Sequence, residues 1–413
     1  MKKILIVGGG FAGISAARRL AKLVPADVKI TLISEKTHFE YHAALYRVVA
    51  GRSPLEVCVP LSYVIPEERV EIVSDRVVEI LPEVKEIRGA SGSRYRADYI
   101  VLTLGSKTGY FDISGIKEFS FGFKSIDDAL RLRRHIHELF EECKERADDV
   151  SRDFRRMHFV LVGGGASGVE LAGELADYTR RLAKKHGIDD SLIEIDIVEA
   201  GPRLLSNFEK DVSHRVELRL RALGINVFLN RPLLKEDVEG IMLKGMSVEA
   251  DTIIWTAGVK AHDLYGATKG FSTDKKGRVI VDKYLQPMGH SNIFVAGDAA
   301  ATLYSGMAQT AIRDGVLISR NILRDIKMRP MVGYKAIPPA YSIPVGPNFA
   351  ATIFSFFSFY GRFGWYLRRM ADLRFFMSIL PFSYAWKAWA AGRVLSESCP
   401  VCIESLRRYD IAK

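Results

Sequence analysis

The chain has little cysteine. Cys58, Cys143, Cys399 and Cys402 are all that its 413 residues contain, too few for a disulfide scaffold and in keeping with a reducing compartment. Cys399-Pro-Val-Cys402 has the spacing of a redox pair. It stands outside any strand–helix unit, however, and no second such pair or nearby pair of histidines completes a zinc site. The nine histidines are scattered, so no metal is expected. A secretory leader is not expected either: the first residues run directly into an apolar strand, Lys3 to Val7, closed by Gly8, and export is not expected. Nucleic-acid binding has only the net charge of +10 behind it, and half of that charge sits in one C-terminal segment.

What is present is the composition of a folded protein, 48% hydrophobic and 26% charged, with length for two or three domains. Short apolar runs alternate with helical patterns, which predicts an α/β fold with parallel sheets. KKILIVGGG, a helix over about Ala12–Leu23 and VKITLISEK make one strand–helix–strand unit; HFVLVGGG, a helix over Val169–Lys185 and EIDIVEA make a second. The recurrence of one Gly-rich turn after a strand is an internal duplication. The simplest layout is a first domain over residues 1–120, interrupted by a second over 121–275 and completed by 276–335, with a distinct region over 336–413. Four prolines between Ala336 and Pro347 predict a linker or irregular loop there.

Each turn carries G-x-G-x-x-G. In the first, Gly8 permits the tight turn, Gly10 lets the backbone approach a pyrophosphate, and Gly13 lets the helix pack close to the sheet. The helix N-terminus adds N–H groups and a positive dipole for the phosphates. Glu35, at the end of the next strand, is placed to accept the ribose hydroxyls. Gly163, Gly165 and Gly168 repeat the pattern, and Glu199 is their acid. A Glu here suits a free 2′-hydroxyl and repels a 2′-phosphate, so this site is expected to take NADH, although Arg203 nearby softens the preference.

Two such units, the first interrupted by the second, resemble the two-dinucleotide flavoprotein oxidoreductases. That resemblance implies two Rossmann-like domains, FAD on the first loop and the nicotinamide on the second. IFVAGDAA is similar to the second flavin motif, with Gly297 allowing close approach and Asp298 holding the ribityl chain; YIVLTLGS and IIWTAG are similar to the two connections that bring Gly105 and Gly258 beside the cofactors. HFEYHAALYRVVAG, GGGASGVELAGEL and AQTAIRDG are similar to segments of one branch, the type II (non-pumping) NADH:quinone oxidoreductases. By that resemblance Phe11, Ala12 and Lys36 join the FAD contacts, Ala308 and Gln309 flank flavin and quinone, and Glu170 faces the nicotinamide, orienting it or relaying protons. One departure stands out: the family's motif A-Q-x-A-x-Q-Q-G carries a Gln pair where this chain has Arg313-Asp314. The implied activity is hydride transfer from NADH to FAD and then two electrons to a quinone. The alternatives are a sulfide:quinone oxidoreductase-like enzyme, disfavoured by Ala166 and Ser167 where that branch needs cysteine, and an NADH-reducible flavoprotein with a signalling or binding role.

The segment Phe349–Leu395 holds six basic residues, one acid and 15 of the 42 aromatics. Apolar side chains at 363, 366, 367, 370, 373 and 377 fall on one helical face, with Arg362, Arg368, Arg369 and Asp372 largely on the other. No spanning run of about 20 apolar residues occurs there. The pattern predicts an amphipathic region lying on anionic lipid at the cytoplasmic face of the cell membrane; a homodimer or domain-covering interface is the alternative occupant. Truncation after Pro347 is expected to release a soluble enzyme that keeps FAD and NADH oxidation.

Overall fold

The computed structural model describes residues 2–145, 157–354 and 357–395. Five of its helices bear on function: α1 (Phe11–Leu23), α2 (Ala166–His186), α3 (Ala308–Ile326), α4 (Gly361–Ile379) and α5 (Phe382–Ala391). The chain divides into two compact units. The first holds the described residues of Met1–Glu40, Val59–Lys107 and Val259–Pro339; the second holds those of Tyr41–Cys58, Thr108–Gly258 and Ala340–Lys413. Among the described residues no helix is long and apolar enough to cross a membrane.

In the first unit five parallel strands lie side by side in the order Ile293–Val295, Tyr99–Leu102, Lys3–Val7, Lys29–Ser34 and Val70–Ser74. Ile4 to Val7 are all buried, as a parallel strand covered on both faces requires. An antiparallel meander, Val77–Leu81, Glu86–Gly89 and Arg94–Arg96, follows the strand ending at Ser74. Where α1 and α3 cross, small residues let the backbones meet: a Cβ on Gly315 would lie 2.5 Å from the Ala12 carbonyl oxygen. Ser15 donates to the Ile312 carbonyl at 2.9 Å and Ser319 to that of Ala16 at 3.2 Å across the same crossing.

The second unit repeats this plan. Its parallel sheet runs Phe121–Gly122, Thr252–Trp255, His158–Val162, Glu194–Val198 and Asn226–Phe228, and a meander of Leu233–Asp237, Gly240–Leu243 and Met246–Glu249 stands in the corresponding place. The duplication therefore extends well beyond the glycine turns. One position is filled differently: the edge strand beside Tyr99–Leu102 comes from after the rest of the sheet in the first unit (Ile293–Val295), and that beside Thr252–Trp255 from before it in the second (Phe121–Gly122).

The C-terminal region is built into the second unit. Part of the proline-rich stretch expected to be irregular is a strand, Tyr341–Pro344, antiparallel to Ala350–Ile353, which pairs in turn with Ser358–Phe359. Pro344 is tolerated because its strand is at the sheet's edge. A Cβ on Gly173 of α2 would lie 2.4 Å from the Gly346 nitrogen, so the hairpin turn sits directly on α2. Helix α4 is turned the opposite way to a water-facing amphipathic helix. Phe363, Tyr366, Met370 and Met377 are exposed, Leu373 is buried, and the charged side packs inward, with Arg369 and Asp372 no more than 2% exposed. The reason is a set of partners far away in sequence. Asp372 accepts from Tyr41 Oη at 2.7 Å and from Arg47 Nη2 at 2.9 Å, and Glu56 pairs with both Arg47 and Arg369. Truncation after Pro347 would remove Asp372 and Arg369 from this buried cluster and uncover the Arg47–Glu56 pair beneath them, a cost that the expectation of an intact truncated core leaves out.

Candidate cofactor and substrate sites

The two glycine loops share one geometry. Gly8 and Gly163 have φ of +110° and +119°, a region that favours glycine. A Cβ on Gly13 would meet the Gly8 carbonyl oxygen at 1.9 Å, and one on Gly168 would meet that of Gly163 at 2.0 Å. A Cβ on Gly10 or Gly165, by contrast, would meet nothing within 4 Å. Each loop therefore keeps a bare backbone facing open space at the start of its helix. A pyrophosphate needs that combination, so the residues present fit dinucleotides at both places.

A threonine locks each loop, which the motif reading missed. Thr103 Oγ1 donates to the carbonyls of Val7 (2.8 Å) and Gly8 (3.0 Å), and Thr256 Oγ1 does the same to Val162 and Gly163, both at 3.0 Å. The signal was available: each threonine stands two residues before the glycine of its connection, Gly105 and Gly258.

The acids differ. Glu35 is exposed just past the end of its strand. Lys36 pairs instead with the buried Glu40, and Phe11 packs edge-on against Phe39 with ring centroids 4.9 Å apart. Glu199 is fixed by its own backbone surroundings, accepting from the N–H groups of Gly164 and Gly201, each at 2.7 Å. Arg203 does not wait for a phosphate. Its guanidinium donates to the carbonyls of Ser206 and Phe208 and to Ser213 Oγ, all at 2.6 Å, which ties it to its own loop.

In the first unit Asp298 Oδ2 accepts from Ser106 Oγ at 2.6 Å, beside a cleft also lined by Ala261, Lys276, Arg278 and Gly306. Gly297 has φ +69°, and a Cβ there would lie 3.5 Å from that of Ala12 and 3.3 Å from that of Ala311. The turn bearing Asp298 is thus wedged against the starts of α1 and α3. Ala308 and Gln309 open α3, both half-buried. Of the pair that departs from the family motif, Arg313 faces outward and donates to the Ile337 carbonyl at 2.9 Å. Asp314 is fully buried beneath the Gly297 turn.

In the second unit Glu170 lies half-buried in the opening turns of α2. Burial pushes its carboxyl up to about 7, against the pull of Arg368 and Arg47 and with a further push from Asp372 and Glu174. Burial likewise raises Glu174, one turn on. The acid–arginine cluster that anchors α4 therefore also bears on the charge state of Glu170, which burial dominates.

Two other groups serve structure. His158 Nε2 lies 2.9 Å from Asp196 and Nδ1 lies 3.0 Å from the Glu249 carbonyl. Both ring nitrogens are thus engaged by acceptors, an arrangement that favours the protonated ring against the effect of burial and competes with a metal for its lone pairs, although Glu194 completes a group of three potential ligands. Cys58 and Cys143 are buried; Cys399 and Cys402 lie outside the described residues.

Residues 2–315 match the pyridine nucleotide-disulphide oxidoreductase family. A type II NADH:quinone oxidoreductase of Staphylococcus haemolyticus is 30% identical over 336 residues, covering 78% of this chain and 82% of that protein. That of Staphylococcus saprophyticus is 29% identical over 343 residues, covering 80% and 84%. The fold is similar to that of NDH2 from Plasmodium falciparum in complex with NADH, with a TM-score of 0.85, 17% identity, and 97% and 100% of the two chains covered. The sulfide:quinone oxidoreductase of Aquifex aeolicus shares the fold at a TM-score of 0.77 and 19% identity, over 95% and 92%.

Proposed function

We infer the chemistry from membership: the chain belongs to the pyridine nucleotide-disulphide oxidoreductase family and, within it, to the type II NADH:quinone oxidoreductases. It is an enzyme that oxidises NADH and reduces a quinone with FAD as its cofactor. FAD, when bound, supplies the hydride acceptor for NADH and the donor of two electrons to the quinone. The observation that carries this reading is the pair of loops with an open glycine each, Gly10 and Gly165.

The rest of the assignment is ours. The first unit takes FAD, with Gly8, Gly10 and Gly13 at the pyrophosphate, Glu35 at the ribose and Asp298 at the ribityl chain. The second takes NADH, with Gly163, Gly165 and Gly168 at its pyrophosphate and Glu199 at its ribose. The commitment of Arg203 to its own loop supports a preference for NADH over NADPH. Glu170, able to gain or lose a proton near neutrality, orients the nicotinamide and passes protons. Gln309, with α3's positive dipole end behind it, serves the quinone half of the reaction. A sulfide-oxidising relative is the weaker reading, since Ala166 and Ser167 stand where that chemistry needs cysteine.

The enzyme works as a peripheral protein at the cytoplasmic face of the membrane. The exposed stripe Phe363, Tyr366, Met370 and Met377, continued by Phe382 and Trp386 on α5, supports this. Arg362, Arg374, Lys387 and Arg393 are exposed around it, while Asp372 is buried. An apolar patch rimmed by cations suits the headgroup region of anionic lipid.

The test is an anaerobic titration of the purified protein. NADH is expected to bleach the flavin absorbance stoichiometrically, and a quinone to restore it at a rate that supports turnover. Flavin that NADH leaves oxidised, or that reduces but returns its electrons to no quinone, would overturn the reading.

A further inference from the structure

Asp314 carries a charge problem that the known reaction does not explain. It lies on α3 with no exposure to solvent. Its Oδ2 accepts from the Gly297 N–H at 3.0 Å, which fixes the residue just before Asp298. Its Oδ1 is buried and has no hydrogen-bond partner among the described residues, and neither has Thr310 Oγ1, one turn earlier on the same helix. Two orphaned polar atoms on one buried helical face are costly, and far more so if one belongs to an ionised carboxylate.

The neighbours make ionisation worse. Asp298 presents a second carboxylate from the adjoining turn. Helix α1 offers no compensating cation, since Ala12, Ser15 and Ala16 are what it turns toward α3. Tyr334 senses the Asp314 charge but is a phenol, and the adjacent Arg313 is directed outward to the Ile337 carbonyl. A neutral carboxyl resolves this: its carbonyl oxygen accepts from Gly297 while the other oxygen carries the proton.

We propose that Asp314 is a positioning residue of the flavin site, holding the Gly297–Asp298 turn as a neutral carboxyl and governing FAD retention through its proton. The wedge of Gly297 against Ala12 and Ala311 puts this carboxyl directly behind the start of α1, where the FAD pyrophosphate is assigned. Loss of the proton to solvent adds a negative charge behind a dianionic ligand and beside Asp298, in a region too dry to screen it. Burial, opposed by the Gly297 N–H and helped by the Asp298 charge, pushes this carboxyl up to about 7, so the change falls in an accessible range. This inference rests on the assignment of FAD to the first unit.

The experiment dilutes the holoenzyme at pH values from about 6 to 9 and follows free FAD by its fluorescence. If binding FAD displaces the Asp314 titration by about one unit, the dissociation constant of the wild type rises about tenfold across that range. Asp314→Asn, neutral and of the same shape, is expected to hold FAD as tightly as wild type at pH 6 and to lose the pH dependence. Asp314→Ala, which leaves the Gly297 N–H without its acceptor, is expected to bind more weakly at every pH, also without the dependence. Thermal unfolding of the flavin-free protein gives a second readout. A carboxyl raised in the folded state contributes stability that is present at acid pH and lost as pH rises through about 7, so wild type should fall relative to Asp314→Asn over that interval. Should the Asn variant not fold, Asp314→Gln, which restores the family's residue, is judged by the same criteria. A wild type that retains FAD with no pH dependence, or with the same dependence as the neutral variant, overturns the role of Asp314 and leaves the FAD assignment intact. A wild type that retains no FAD at any pH overturns the assignment itself.

Discussion

Replacing Asp372 with Asn tests whether the buried charge cluster, and not apolar contact alone, holds the C-terminal helices to the second unit. Asn keeps the shape and can still accept from Tyr41, so what it removes is charge. Arg47 and Arg369 would then have Glu56, which is 1% exposed, as their shared carboxylate, while Arg368 would lose its ion pair with Asp372. The Arg47 contact is 2.9 Å, with Arg368 and Arg369 at 3.4 and 3.6 Å. Removing one member of such a cluster leaves uncompensated buried charge and costs about 3–5 kcal/mol. For a unit of this size that is a drop in Tm of roughly 6–20 °C, measurable by scanning calorimetry at pH 7. The sign with pH is fixed too. Burial would raise the Asp372 carboxyl, but Arg368, Arg47 and the Tyr41 hydroxyl together hold it below its ordinary value. The stability it gives is therefore present above the unfolded carboxylate range and lost as pH falls through the lower folded value, and the gap between wild type and variant should close in acid. Arg47→Met added to Asp372→Asn should restore part of the loss, since it removes one of the cations that Asp372 balanced and leaves Glu56 paired with Arg369. A single variant melting within about 2 °C of wild type would refute the reasoning.

Four further outcomes are expected. Gly10→Val should abolish flavin content while Gly165→Val leaves the protein yellow but unable to oxidise NADH, measured by absorbance and stopped-flow reduction; the same phenotype from both would contradict the assignment of one loop to each cofactor. Glu199→Ala should shrink the discrimination between NADH and NADPH by roughly 1–3 kcal/mol in kcat/KM, and an unchanged ratio would remove Glu199 from the ribose site. Glu170→Gln should erase a transition near pH 7 in the rate of flavin reduction by NADH; a transition that persists belongs to another group. Met370→Glu and Met377→Glu together should prevent co-sedimentation with anionic liposomes without changing turnover of a water-soluble quinone, and undiminished sedimentation would assign the exposed stripe to a second copy of the chain.

The features legible in the sequence were those whose physics is local. A glycine turn between a strand and a helix needs only neighbours to be recognised, so both loops and their helices could be placed in advance. The orientation of α4 could not. Its apolar and charged faces were visible, but which face meets protein depends on Tyr41 and Arg47, more than 300 positions away. Thr103 and Thr256 were passed over because one threonine beside a glycine means little until its hydroxyl is seen between two carbonyls. The strand Phe121–Gly122 is two residues long, too short for any periodicity. Asp314 was noticed as a departure from a motif, but only its burial turned the departure into an electrostatic question.

The two sheets also imply different histories during synthesis. The first cannot close until Ile293–Val295 reaches its place beside Tyr99–Leu102, and the whole second glycine loop is made in between. At about 5–20 residues per second, that wait lasts on the order of ten to forty seconds. Throughout it, the edge of Tyr99–Leu102 offers unpaired backbone groups to any passing strand. The nascent chain is therefore open to mispairing at this edge until its first unit is finished, and a ribosome stalled before residue 293 would present an edge for chaperones to guard.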